Sequence, residues 1–509
     1  MVLLIYPPVA KPCEPPAGIS RLAGILNRQG VEHVLLDANL EGLLQRLGLP
    51  LDAQKTPDAW TKRAFKNCAR NVDAVRDRNL YRHLERYKRA VNDIGKVLRV
   101  QAQAGTVHGL ADFEQQNLSP LKSRDLLAAA DTPELNPYYR YFSARLRELF
   151  ETKQPALVGL SLSYLSQALC AFAMMGFIRR EIPNVRIVLG GGLVTSWVKN
   201  ETWKNPFAGL VDHVVAGPGE FQLLSLLGRG TKSEVMPRPD YRSLPRERYL
   251  APGFILPYSA ATGCYWNKCT FCPEEAEGNP YQSLPPRQVV ADLKALREET
   301  NPSLIHLLDN AISPALLAQL CADPVGAPWY GFSRIGAHLA DADFCRALKQ
   351  AGCVMLKLGI ESGDQHVLDA LGKGIRVETS AAVLRNLRQA GIATYVYLLF
   401  GTPAENAAGA RKTLEFATRH GDCIDFLNLA LFSLPTCGKA AAALETQGFS
   451  EGDLSLYTDF RHPRGWDRKS VRGFIQDVFR KHPAIAPILK REAPIFTANH
   501  APFFVMGRS

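Results

Sequence analysis

Apolar positions along the chain follow two different periods. Val2–Tyr6 (VLLIY) is a short, continuously apolar β-rich run, the pattern of a strand buried on both faces of a parallel sheet. After a proline-rich loop, Gly18–Gln29 puts Ile19, Leu22, Ile25 and Leu26 on one helical face, and Gly30 marks the stop. Glu32–Asp37 and Ala156–Ser161 read as further strands. A helix over about Gln167–Glu181 leads to Arg186–Leu189, which runs into Gly190-Gly191-Gly192. Asp212–Ala216 reads as one more strand, ending in Gly217-Pro218-Gly219-Glu220 before a helix. Strands alternating with helices predict an α/β, doubly wound parallel sheet of Rossmann-like kind, with ligands at the C-terminal strand ends.

Between the second and third strands lies an insertion at about 45–150. Its clearest element is Leu80, Leu84, Tyr87, Val91, Ile94 and Leu98, one apolar stripe on an amphipathic helix. A proline-rich linker at 236–250 closes the first domain, 1–235. A second βα series follows, with strands expected at Leu256–Ala261, Leu304–Asp309, Trp329–Ile335, Val354–Gly359, Thr394–Phe400 and Ile424–Leu431. Six such units over 251–440 predict a partial (β/α)6 barrel of the TIM type, with its site at the C-terminal strand ends. Residues 441–509 read as a mostly helical tail.

Composition narrows this picture. A chain of 509 residues, 46% hydrophobic and 21% charged, is ordinary globular protein with room for several cores. No apolar stretch is long enough for a transmembrane segment, and Met1–Tyr6 lacks the features of a secretory signal, so the cytoplasm is the expected location. The net charge of +11 is uneven: residues 61–100 hold twelve Lys/Arg against four Asp/Glu, a net of +8, leaving +3 elsewhere. The basic excess therefore belongs to the insertion, where a solvated helix face is the plain reading, and nucleic acid is not the expected partner.

Eight of the 11 cysteines are scattered singly and read as buried small hydrophobes. Cys264, Cys269 and Cys272 are clustered on one loop after a strand. Three thiolates within nine residues suit an iron–sulfur cluster with one open iron. A zinc site, which takes four ligands, and unliganded thiols are the alternatives.

In this position the loop resembles the cluster motif of the radical S-adenosylmethionine (radical SAM) enzymes, with a spacing of four and two residues where three and two is usual. Leu356–Gly363 (LKLGIESG), Leu368–Lys373, Leu399–Glu405 (LFGTPAE) and His306–Asn310 (HLLDN) resemble further strand ends of that family. Val2–Pro8, Val158–Tyr164, Val188–Gly192 and Ala216–Glu220 together resemble the cobalamin-binding domain fused to many of its members. The loop Pro7–Glu14 carries no histidine to serve as a cobalt ligand.

The resemblance implies a [4Fe–4S] cluster on Cys264, Cys269 and Cys272. It implies S-adenosylmethionine held by Phe271, Asp309, Arg334, Glu361 and Gly401, and cobalamin against Pro8, Ser161, Ser163, Gly190, Gly191, Gly217 and Glu220. Glu405 reads instead as a helix N-terminal carboxylate. In the tail, His462, Trp466, His500 and Phe504 read as packing residues, with pocket lining as the alternative. The implied activity is reductive cleavage of S-adenosylmethionine to a 5′-deoxyadenosyl radical and methylation of an unactivated carbon. The alternatives are cyclisation or rearrangement, RNA modification, or a non-catalytic cobalamin- or metal-binding protein. The implied partners are a small-molecule or peptide substrate and an electron donor such as a flavodoxin or ferredoxin.

Overall fold

In the computed structural model, residues 1–51, 58–200, 203–230, 236–447 and 452–506 are described. They divide into two compact units, Met1–Phe254 with Ser450–Leu456, and Ile255–Phe449 with Tyr457–Ser509.

The first unit is built on five parallel strands: β1 (Val2–Tyr6), β2 (His33–Asp37), β3 (Leu157–Ser161), β4 (Arg186–Gly190) and β5 (His213–Val214). Their order is β2-β1-β3-β4-β5. β1 lies inside the sheet, which is why its apolar run is unbroken. Strand order reverses between β1 and β3, the place where open sheets of this topology take ligands above their C-terminal ends. The helix Leu165–Glu181 is buried along nearly its whole length and supplies much of the core beside the sheet.

The expected insertion at about 45–150 includes residues 52–57, outside the described residues. The apolar stripe from Leu84 to Leu98 lies on the helix Leu84–Gln101, with Leu80 in the preceding 3-10 turn Arg78–Arg82, and a second helix, Ala59–Arg76, packs on it. Tyr87, Val91, Ile94 and Leu98 are buried, while Lys62, Lys66, Arg70, Arg86 and Arg89 are exposed. The insertion also holds a small hairpin, Thr106–His108 with Phe113–Gln115, that its helical pattern does not announce.

The second unit carries six parallel strands: β6 (Ile255–Tyr258), β7 (Leu304–Leu307), β8 (Trp329–Ser333), β9 (Cys353–Glu361), β10 (Ala393–Phe400) and β11 (Phe426–Leu431). They pair in chain order, and β6 and β11 form the two edges, so the barrel is partial. The tail is helical at Arg468–Gly473, Ala486–Leu489 and Thr497–Met506, with a π-helical turn at Phe474–Phe479. Three short antiparallel strands, Leu434–Pro435, Thr446–Gln447 and Tyr457–Phe460, precede these helices. Among the described residues, no helix is long and apolar enough to cross a membrane.

Candidate active site

The three clustered cysteines sit at the C-terminal end of β6. Ala261–Thr262 pairs antiparallel with Gln282–Ser283 and closes the loop that carries them. Cys269 is buried, and Cys264 and Cys272 are half-buried. Two bonds and a packed ring shape this loop from behind. Trp266 donates its Nε1–H to the Gly372 carbonyl at 2.9 Å, and the Thr270 N–H donates to the Leu371 carbonyl at 3.0 Å. A Cβ at Gly374, which has φ +65°, would fall inside the Trp266 ring. The segment after the β9 motif is thus the backing of the cysteine loop.

Burial pushes the Cys269 thiol up, and the neighbouring cations Lys373 and Arg334 oppose that rise. Burial also pushes Cys272 up to about 11, against hydrogen bonds from the Glu274 and Glu275 backbone. Three soft donors on one turn, beside two cations, suit an anionic iron–sulfur cluster.

Glu361 ends β9 in the left-handed region, at φ +66°. Its Oε1 accepts from Lys373 Nζ at 2.8 Å, and both side chains are buried. Lys373 Nζ lies 5.5 Å from the centre of the Phe271 ring, beside the last cysteine. Arg334 follows β8. Its guanidinium lies 4.0 Å over the Trp266 ring and donates to the Lys373 carbonyl at 2.6 Å. Phe271, Arg334 and Glu361 are therefore linked to one another through Lys373 and Trp266. Asp309 accepts from the Ala260 N–H at 3.2 Å, and Asn310 donates to the Gly263 carbonyl at 3.2 Å, so this strand end anchors the start of the cysteine loop.

Gly401 follows β10 and donates its N–H to Glu405 Oε2. The cap of the following helix, Ala407–Arg419, is Asn406, so Glu405 is not the helix-terminal carboxylate its position suggests. Its carboxylate turns back to accept from the Gly401 N–H at the strand end and from the Trp466 Nε1–H of the tail. His462 and Trp466 line a small cleft with Phe400, Gly401 and Phe460, whereas His500 and Phe504 are buried in packing.

The fold also brings together two residues from separate motif segments that the sequence did not pair. Lys357 on β9 lies 3.0 Å from His306 Nε2 on β7, and His306 stacks on Tyr330 of β8. Inward-facing polar residues on three separate strands carry no common spacing, so only the sheet register reveals them.

In the first unit, the loop after β1 is pinned from two sides. Gln167 donates to the Pro7 carbonyl at 2.7 Å, and Ser166 to the Val9 carbonyl at 2.8 Å. Asn39 exchanges hydrogen bonds with both backbone groups of Ala10. Pro8 lies in this loop, Ser161 ends β3 and Ser163 follows it. The Ser163 N–H donates to Gln167 Oε1 at 3.0 Å, so one glutamine fixes the loops after β1 and β3. Gly190 ends β4. Gly191, at φ +111°, crosses the Leu162 backbone so closely that any Cβ would collide with it. The Gly217 N–H donates to Thr195 Oγ1 at 2.9 Å. Six of the seven cobalamin candidates thus stand at or just beyond the C-terminal ends of β1, β3, β4 and β5. The seventh, Glu220, is buried in an ion pair with Arg21 at 2.7 Å.

Comparison with known proteins bears on the family and the fold. Residues 258–417 match the family model of the radical SAM superfamily. An uncharacterized methyltransferase of Pyrococcus horikoshii is 23% identical over 315 residues, 54% of this chain and 66% of that protein. An anaerobic magnesium-protoporphyrin IX monomethyl ester cyclase of Rubrivivax gelatinosus is 22% identical over 321 residues, 54% of this chain and 56% of that protein. The match thus spans less than two thirds of either relative. Among solved structures, the radical SAM methyltransferase TsrM of Kitasatospora setae, with tryptophan and a SAM analogue bound, superposes with a TM-score of 0.58 at 16% identity, over 96% of this chain and 89% of that one. The cobalamin-dependent radical SAM enzyme OxsB, with aqua-cobalamin bound, gives 0.53 at 14% identity, over 84% of this chain and 53% of that one. These likenesses establish a shared fold across both units. Residues 258–417, within the second unit, thus form a radical SAM domain.

Proposed function

We propose that this chain is a cobalamin-dependent radical SAM methyltransferase acting on an unactivated carbon of a small molecule or peptide. The observation that carries this reading is the pairing of two features in one chain. A three-cysteine loop ends the first strand of a six-strand partial barrel, and a β2-β1-β3-β4-β5 sheet precedes it. TsrM and OxsB, which bind cobalamin, share that fold.

In this reading Cys264, Cys269 and Cys272 hold the [4Fe–4S] cluster. Phe271, Asp309, Arg334, Glu361 and Gly401 surround S-adenosylmethionine. Pro8, Ser161, Ser163, Gly190, Gly191 and Gly217 line the cobalamin crevice, and Glu220 supports it through Arg21. When bound, the cluster supplies one electron to S-adenosylmethionine, and cobalamin supplies the methyl carrier. The chain's own residues position and exclude water. The Glu361–Lys373 pair offers a fixed carboxylate beside Phe271, suited to ribose hydroxyls. Gly192 above β4 and Gly217 above β5 face open space, which suits a broad, flat ligand. Residues 1–235 form the cobalamin domain, 251–440 the barrel and 441–509 the closing extension. An electron-donor protein of the flavodoxin or ferredoxin kind completes the system.

The likeness to the protoporphyrin ester cyclases supports a second reading, in which the same cofactors drive ring closure. The two part at the product, since only the methyltransferase moves a labelled methyl group from S-adenosylmethionine. Cobalamin itself is tested by incubating the reconstituted chain with hydroxocobalamin and desalting. Near-equimolar retained corrinoid is expected, and none at micromolar protein would contradict the reading.

A further inference from the structure

Glu405 is wholly buried, and its Oε2 accepts two hydrogen bonds. One comes from the Gly401 N–H at 2.6 Å and the other from Trp466 Nε1–H at 3.1 Å. Beside it, His462 Nε2 lies 2.9 Å from the Thr402 carbonyl. The His462 Nδ1 accepts from the backbone N–H groups of Arg464, at 3.1 Å, and Trp466, at 3.2 Å. A ring that accepts at Nδ1 and meets a carbonyl at Nε2 must be neutral with its hydrogen on Nε2. Burial, which lowers the His462 pKa, keeps it so. Val471, on the next helix, packs against Gly401. The strand-end turn 401–405 and the tail turn 462–466 are therefore locked by side chains about sixty residues apart in sequence.

Stability alone does not explain this lock. Glu405 Oε1 and Thr402 Oγ1 are buried in it without a hydrogen-bond partner, and each such group weighs against folding. The polar atoms are arranged around the Gly401 backbone rather than to satisfy themselves.

We propose that His462 and Trp466 are positioning residues that hold the Gly401–Glu405 turn in the conformation that meets S-adenosylmethionine, making the tail part of that site. The inference rests on the reading of Gly401 as a contact to S-adenosylmethionine. The Glu405 carboxylate is the hub, since it binds the turn's amide and the tail's indole with the same oxygen.

Trp466→Phe keeps a ring against Phe474 and removes only the N–H. In the chain without cofactors, amide exchange of the 400–406 peptide should accelerate about tenfold in this variant, while the β9 peptides stay unchanged. With cluster content equal to wild type, its KM for S-adenosylmethionine in reductive cleavage should rise about five- to twentyfold, with kcat changing less than about twofold. Glu405→Gln retains an oxygen able to accept both bonds and should stay close to wild type, whereas Glu405→Leu should match or exceed Trp466→Phe. Unchanged exchange together with unchanged KM in Trp466→Phe would overturn the proposal. A fall in kcat alone would also overturn it, since it would leave only a structural role. If the loaded wild-type chain fails to bind S-adenosylmethionine in equilibrium dialysis, the functional reading falls first and this inference with it.

Discussion

Trp266 fixes the cysteine loop by filling the space above Gly374, and that makes one glycine answerable for cluster geometry. Gly374→Ala is expected to push the indole aside and to cost about 1–2 kcal/mol for the left-handed backbone alone. Iron and sulfide content per chain after reconstitution reads the effect, and full loading would count against the role given to Trp266. Lys373 and Glu361 form a buried ion pair. Removing one partner leaves a stranded charge, so Lys373→Met should cost about 3–5 kcal/mol in denaturant unfolding. Lys373→Met with Glu361→Leu should recover most of that loss; additive losses would show that the two side chains do not act as a pair. In the first unit, burial holds the Asp37 carboxyl up at about 6. The folded state then binds this proton more tightly than the unfolded state. Its contribution is fully present below about pH 4, declines as pH rises to about 6 and is flat beyond, by at most about 3 kcal/mol. Asp37→Asn should remove that slope from melting curves between pH 4 and 6. An unchanged slope would assign the pH dependence to other groups. The cysteine loop was legible because spacing along the chain carries its chemistry. The Lys357–His306 contact and the Trp466–Glu405 contact were not, since each joins segments more than fifty residues apart.

Elements were read best where burial is two-sided. The barrel strands and the first four strands of the N-terminal sheet show as apolar runs because most of their residues are buried. β5 is shorter than its run, and Asp212 beside it ties to β4 through its N–H on the Ile187 carbonyl and its carboxylate on the Ile187 N–H. The antiparallel strands of the tail hold two to four residues each, too few to show alternation. On the helix Ala59–Arg76, exposed Lys62, Lys66 and Arg70 stand at successive i,i+4 positions, an arrangement of mutual repulsion. Lys66→Glu converts both neighbours into opposite-charge pairs and should stabilise the helix by about 0.5–1 kcal/mol at low salt, with the gain shrinking as salt is added. A loss of stability would mean that this face binds an anion that the lysine helps hold.

At the scale of the whole molecule, each unit offers its loops at the C-terminal strand ends, as parallel sheets do. The basic excess belongs to one pair of helices in the first unit, not to the radical SAM domain. The functional account therefore depends on the cysteine loop rather than on net charge. The most direct test is anaerobic reconstitution of the full chain with iron and sulfide, followed by S-adenosylmethionine and a strong reductant, with 5′-deoxyadenosine measured by mass spectrometry. The account predicts 5′-deoxyadenosine from the wild-type chain and none once Cys264, Cys269 and Cys272 are all replaced by alanine. A fully loaded wild-type chain that releases none, or a triple variant that still releases it, would contradict the account.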